Sequence, residues 1–259
     1  GSTVYNENDK LYYTFFTGHK YELNEGDSRE MVMMATSPDF KTWTKSRTFY
    51  LRGADYGYEK NDFRDPFVFR GDDNLYHMLV SAKKGGKGVL AEWTSTDMKE
   101  WNHKGVFMTY MWDRFYECPD VFKMGDWWYL VYSEQHSAIR RVQYFKGRTL
   151  DELKACTQND AGLWPDAHEG FLDSRGLYAG KTASDGTNRY IWGWCATRSG
   201  KDNTKALEWA GNLVAHKLIQ HADGTLTLGE VPAIAAKFTD AATPAVAAKS
   251  ENSDAGTVE

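Results

Sequence analysis

Cysteine is scarce in this sequence. Cys118, Cys156 and Cys195 are an odd, widely spaced set, and neither a disulfide framework nor a paired-cysteine zinc pattern can be built from them. A basic excess is missing too: 31 Lys and Arg stand against 36 Asp and Glu, for a formal net charge of -5. No cationic stripe is available to gather phosphate backbones or anionic lipid, which argues against nucleic acid and membrane surfaces as partners. No apolar run approaches the roughly 18 residues of a membrane-spanning helix, and the residues after Gly1 do not read as a signal peptide. The seven histidines never fall into a His-x-His or His-x-x-x-His pair, so no metal site is expected.

What the chain has in plenty is aromatic residues, 10 Trp, 15 Tyr and 13 Phe in 259 residues. These suit strands and also the flat apolar faces of sugar rings. Many of them fall in a repeat. A polar turn followed by an aromatic-rich strand runs from Asp9 to Thr17 and recurs at Asp73 to Ser81, Asp126 to Ser133 and Asn188 to Trp194. A second shared element, Ser37-Pro38-Asp39-Phe40-Lys41-Thr42-Trp43, returns as Ser95-Thr96-Asp97-Met98-Lys99-Glu100-Trp101. It reads as a strand ending in a turn that tucks a Trp inward. The strand ends lie 64, 52 and 61 residues apart, a length that accommodates four short antiparallel strands per unit. Met31 to Thr36, Gly88 to Thr94 and Arg140 to Phe145 supply further short strands, and only Leu150 to Cys156 hints at a helical turn.

The fold class predicted is therefore all-β, a β-propeller with four blades visible. The propeller spans residues 1–232. Residues 233–259, with nine alanines and no Trp or Tyr, read as a linker or tail.

Two segments interrupt the strand pattern in the same way, placing charge beside a proline ahead of an apolar strand. They are Asn61-Asp62-Phe63-Arg64-Asp65-Pro66-Phe67-Val68-Phe69 and Phe115-Tyr116-Glu117-Cys118-Pro119-Asp120-Val121-Phe122. Proline is tolerated at the first residue of a strand, so Pro66 and Pro119 are expected to open the innermost strands of neighbouring blades. Asp65 and Glu117, 52 residues apart, would then converge at the mouth of the central channel. Paired carboxylates walled by aromatics are what glycoside hydrolysis needs, one protonated to serve the leaving oxygen and one ionised to attack or to stabilise positive charge. The plainer alternative is that Arg64 pairs with these acids in buried ion pairs.

Arg64-Asp65-Pro66 and Glu117-Cys118-Pro119-Asp120 resemble the two inner signature motifs of glycoside hydrolase family 32, the β-fructosidases that cleave fructose from sucrose, levan or inulin. Gly1-Ser2, Phe15-Phe16-Thr17-Gly18, Asp173 to Ala179, Arg189 to Trp194, Trp209-Ala210-Gly211 and Asp223-Gly224-Thr225-Leu226 match further segments in order, so the resemblance covers residues 1–232. It implies a five-bladed propeller, of which this chain holds blades two to five, followed by a β-sandwich. It also implies that Glu117 is the general acid and base, and that Asp65 with Arg64 holds fructosyl hydroxyls and stabilises the transition state. Ser2, Asp120, Tyr178 and Trp194 are its candidate substrate-binding residues. The substrate is a fructan or sucrose-type carbohydrate, no cofactor is needed, and the setting is secreted, periplasmic or at the cell surface.

One departure from the family pattern matters. The nucleophilic aspartate of an Asn-Asp-Pro-Asn motif has no counterpart here, since Asn61-Asp62-Phe63 lacks the proline and belongs to another blade. The chain alone is thus expected to be inactive. The competing readings are a non-catalytic carbohydrate-binding propeller and a family 43-like arabinofuranosidase or xylosidase. Gly85-Gly86-Lys87-Gly88 reads as a hairpin turn, and Glu134 and Trp192 as minor candidates for the site.

Overall fold

The computed structural model describes residues 1–109, 116–134, 141–156, 169–173, 176–202 and 204–238. Phe115, Arg140 and the tail from residue 239 lie outside them, as do residues 174–175 within the Asp173 to Ala179 match. The described strands form four antiparallel four-stranded sheets, each with its strands neighbouring in sequence order. The first blade is β1 (Ser2–Asn6), β2 (Leu11–His19), β3 (Glu30–Ser37) and β4 (Thr44–Leu51). The second is β5 (Phe63–Arg70), β6 (Tyr76–Lys84), β7 (Lys87–Ser95) and β8 (Asn102–Thr109). β9 (Tyr116–Met124), β10 (Trp127–Glu134), β11 (Arg141–Gly147) and β12 (Glu169–Leu172) make the third. The fourth is β13 (Leu177–Ser184), β14 (Arg189–Arg198), β15 (Leu207–Gln220) and β16 (Leu226–Gly229). The helical hint becomes α1 (Leu150–Ala155), whose Thr149 cap accepts the Glu152 N–H at 3.1 Å.

The repeat read from sequence is the repeat of the blades, and its turn residues explain why. Gly85 and Gly86 take φ of 59° and 76° between the paired Lys84 and Lys87, a two-residue hairpin that needs two left-handed residues. In the Ser-x-Asp turns, Asp39 Oδ1 accepts the amides of Lys41 and Thr42 at 2.9 and 2.7 Å, and Asp97 Oδ1 accepts those of Lys99 and Glu100 at 2.8 and 3.1 Å.

Blades pack face to face through three aromatic-rich cores. Tyr13, Phe15 and Val32 meet Phe63, Met78 and Trp93 between the first and second blades. Leu79 and Leu90 meet Tyr116, Leu130 and Phe145 between the second and third, and Tyr129 and Val142 meet Ile191 and Leu218 between the third and fourth. The second blade's Ser-x-Asp turn seats on the first blade: Met98 is fully buried, Trp101 stands edge-on to Phe15 at 5.4 Å, and Asn6 Nδ2 donates to the Asp97 carbonyl at 3.1 Å. The equivalent residues of the first blade are uncovered, with Phe40 56% and Trp43 36% exposed.

The prolines depart from expectation. β5 and β9 begin before Pro66 and Pro119, which lie inside the strands at register shifts between Arg64 and Phe67 and opposite Val131 and Ser133. A bulge lifts one residue out of the ladder, so the missing proline N–H costs no hydrogen bond there.

Candidate active site

The same backbone device occurs on three inner strands. Asp65, Cys118 and Ala179 all lie in the left-handed region, with φ of 57°, 51° and 54°. Each sits in a bulge where a non-glycine residue at positive φ stores strain. The residue just before it is Arg64, Glu117 or Tyr178, paired across its blade with Ser81, Ser133 or Trp194 respectively. Three neighbouring blades thereby turn three equivalent side chains toward one point.

They meet on Glu117. Arg64 Nη2 donates to Glu117 Oε1 at 2.9 Å, and the Tyr178 hydroxyl donates to Oε2. Glu117 is only 8% exposed. Asp65 is its neighbour: Asp65 Oδ2 accepts the Cys118 amide at 2.9 Å, and the Asp65 amide donates to Thr17 Oγ1 at 3.0 Å. The ring of Trp194 lies 5.2 Å from that of Tyr178. The structure therefore gathers Arg64, Asp65, Glu117, Tyr178 and Trp194 into one cluster.

Arg64 is gripped at both ends. Its Nη1 donates to Glu30 Oε2 at 3.2 Å and to Asp62 Oδ1 at 3.1 Å, and Lys83 shares Asp62 at 3.3 Å. Burial works against the guanidinium charge, but the hydrogen bond to Glu117 and the fields of Glu30, Glu117 and Asp65 outweigh it, so its pKa is raised. The Cys118 thiol is pushed up to about 12, by burial first and by Asp65 second, which leaves it a poor nucleophile.

Two of the expected sugar ligands are engaged in joining blades. Ser2 Oγ accepts the Val68 amide at 2.8 Å, tying β1 to β5. Asp120, 1% exposed, accepts the Thr182 amide at 2.6 Å and its hydroxyl at 3.1 Å, while Arg189 Nη1 donates to that same hydroxyl at 2.8 Å. Complete burial raises the Asp120 pKa, against the pull of Lys181, the Thr182 amide and Arg189. Asp120→Ala is expected to destabilise the fold by about 3 kcal/mol, because it strands two donors in a buried interface. Urea unfolding measures this, and a loss below about 0.5 kcal/mol, the range of an ordinary surface change, would contradict the brace.

Glu134 is buried at the end of β10, Trp192 is exposed on β14, and Gln135 and His136 lie outside the described residues. Sequence reasoning missed Glu30 and Lys181. Lys181 Nζ donates to the Pro119 carbonyl at 2.6 Å and sits 4.5 Å over the Phe67 ring. Among the described residues no group of three His, Cys, Asp or Glu is arranged to hold a metal, and no helix is long and apolar enough to cross a membrane.

The model of the glycosyl hydrolases family 32 N-terminal domain matches residues 1–231. The chain belongs to glycoside hydrolase family 32. Among its relatives, a sucrose-6-phosphate hydrolase of Vibrio alginolyticus is 30% identical over 84% of this chain and 46% of its own length. An insoluble β-fructofuranosidase isoenzyme of Arabidopsis thaliana is 28% identical over 73% of this chain and 35% of its own. The chain thus spans less than half the length of these relatives. The solved structure of the Bombyx mori family 32 β-fructofuranosidase superposes with a TM-score of 0.68 at 19% identity, covering 93% of this chain and 52% of that one. At that identity the likeness speaks for the propeller fold.

Proposed function

We propose that this chain is the larger part of the catalytic propeller of a retaining β-fructofuranosidase, acting on terminal fructosyl units of sucrose or fructans, with Glu117 as proton donor. The observation that carries the reading is the clamp on Glu117 beside Asp65. A guanidinium only donates hydrogen bonds, so Arg64 favours Oε1 as the unprotonated, better-accepting oxygen. The proton belongs on Oε2, where the Tyr178 hydroxyl can donate to the carboxylate or accept from the acid. From there it passes to the glycosidic oxygen as the bond to the fructosyl carbon breaks. Glu117 then takes a proton from the incoming water in the second step.

In this reading Asp65, fixed by Cys118 and Thr17, accepts hydrogen bonds from fructosyl hydroxyls, and its charge opposes the positive character that grows at the reacting carbon. Arg64 supports both carboxylates. Trp194, partly exposed beside Tyr178, offers ring surface to the sugar, while the buried Tyr178 serves through its hydroxyl. The attacking carboxylate comes from a further blade, seated against the exposed face of the first one, and residues 1–232 act as one propeller unit with it. The net charge of -5 fits a carbohydrate rather than nucleic acid.

Turnover of sucrose, levan, inulin and sucrose 6-phosphate by the full-length protein tests the proposal. Fructose released from at least one of them, with net retention in the first product, is the expected result. Binding without turnover would favour the carbohydrate-binding propeller instead.

A further inference from the structure

We propose that Glu30, which lies outside every signature motif, is a positioning residue whose carboxylate aims Arg64 at Glu117. This rests on the reading of Glu117 as proton donor. Glu30 opens β3 on the face that carries Val32, a position turned toward the second blade, and it is 7% exposed. An apolar side chain would satisfy the strand pattern there, and a buried carboxylate is costly unless it is paired and hydrogen-bonded.

Its partners explain its presence. A single oxygen, Oε2, accepts both the Phe63 amide at 3.1 Å and Arg64 Nη1 at 3.2 Å. Phe63 is fully buried between the first two blades and stands edge-on to Trp93 at 5.8 Å. The amide that holds Glu30 is therefore part of the rigid core, and Glu30 passes that rigidity to the guanidinium. Arg64 presents its donors in a planar fork. With Nη1 pinned by Glu30 and Asp62, the plane of the fork is set and Nη2 falls on Glu117 Oε1. Asp62 is the looser of the two anchors because it is more exposed and shared with Lys83. Without Glu30, Arg64 swings toward Asp62 and Glu117 loses one side of its clamp.

The test uses the full-length protein with two conservative variants. Glu30→Gln keeps an oxygen at the position of Oε2 and removes the charge. Glu30→Asp keeps the charge and draws the oxygen back by about one carbon-carbon bond, roughly 1.5 Å. If position is what matters, Glu30→Gln keeps kcat on sucrose within about threefold, while Glu30→Asp loses about 10- to 100-fold with KM within about threefold. The loss shrinks on an aryl fructoside whose leaving group needs no proton. Adding Glu30→Asp to Arg64→Lys then slows the enzyme no further, because the two act as one unit.

Wild-type turnover by Glu30→Asp, a greater loss in Glu30→Gln than in Glu30→Asp, or multiplying effects in the double variant would each overturn the proposal. Full activity of Glu117→Gln would instead overturn the functional reading beneath it, so the two failures are distinguishable.

Discussion

Replacing Glu117 by glutamine is expected to lower kcat on the preferred fructoside by roughly 10²- to 10⁴-fold with little change in KM, the range for loss of a general acid and base. Glutamine has nearly the same shape. Its oxygen can take the Arg64 hydrogen bond and its amide can face the Tyr178 hydroxyl, so both arms of the clamp survive. What disappears is the transferable proton. The loss should be largest on sucrose, whose leaving alkoxide must be protonated, and smaller on an aryl fructoside with a good leaving group. Equal losses on both substrates would point to collapse of the cluster rather than removal of the acid. No loss on either would remove Glu117 from the mechanism.

The fold was legible in the sequence because the blade is written in local chemistry. A polar turn, an aromatic strand and a Ser-x-Asp turn closing on Trp are each decided within about ten residues, and their recurrence gives the architecture. Arg64, Asp65 and Glu117 were legible for a related reason: charge beside proline breaks the strand pattern visibly. The purpose of the proline was not. It marks a bulge inside the strand, and the left-handed residues Asp65, Cys118 and Ala179 share no residue type that would reveal the device on all three blades.

What depends on the neighbouring blade was hidden. The sequence shows Asp120 and Ser2 only as polar residues within the matched motifs; that Asp120 accepts the Thr182 amide of another blade and Ser2 the Val68 amide appears only on folding. Glu30 carried a signal, a carboxylate two residues before Val32 on the core-facing side of an alternating strand, but the partner that gives it meaning lies 34 residues away. Lys181 follows the third bulge as Phe67 and Asp120 follow the first two. Register alone relates these three, and register is a product of folding.

The 259 residues produced alone are expected to give no measurable fructoside turnover, with activity appearing when a segment bearing a further blade and its aspartate is joined ahead of them. Retaining hydrolysis proceeds through attack and then hydrolysis, and without an attacking carboxylate neither step is available. The internal comparison between blades shows where that segment would sit. In the second blade Met98 is buried and Trp101 partly buried against the sheet of the first, with Asn6 holding the Asp97 carbonyl and Lys99 pairing with Asp9 at 3.1 Å. Phe40 and Trp43 repeat that apolar pair on the first blade but face solvent, in a run of ring contacts from Tyr5 through Tyr12. One substitution, made in two contexts, separates the outcomes. In the chain alone Trp43→Ala should change unfolding free energy by no more than about 0.5 kcal/mol, as an exposed residue does. With the further blade in place it should cost about 2 kcal/mol, within the range for removing a packed side chain, and Trp101→Ala, its partly buried counterpart, should cost about that much in either context. A Trp43→Ala variant equally mild in both contexts would mean that the face stays open and that the attacking carboxylate enters the site from elsewhere.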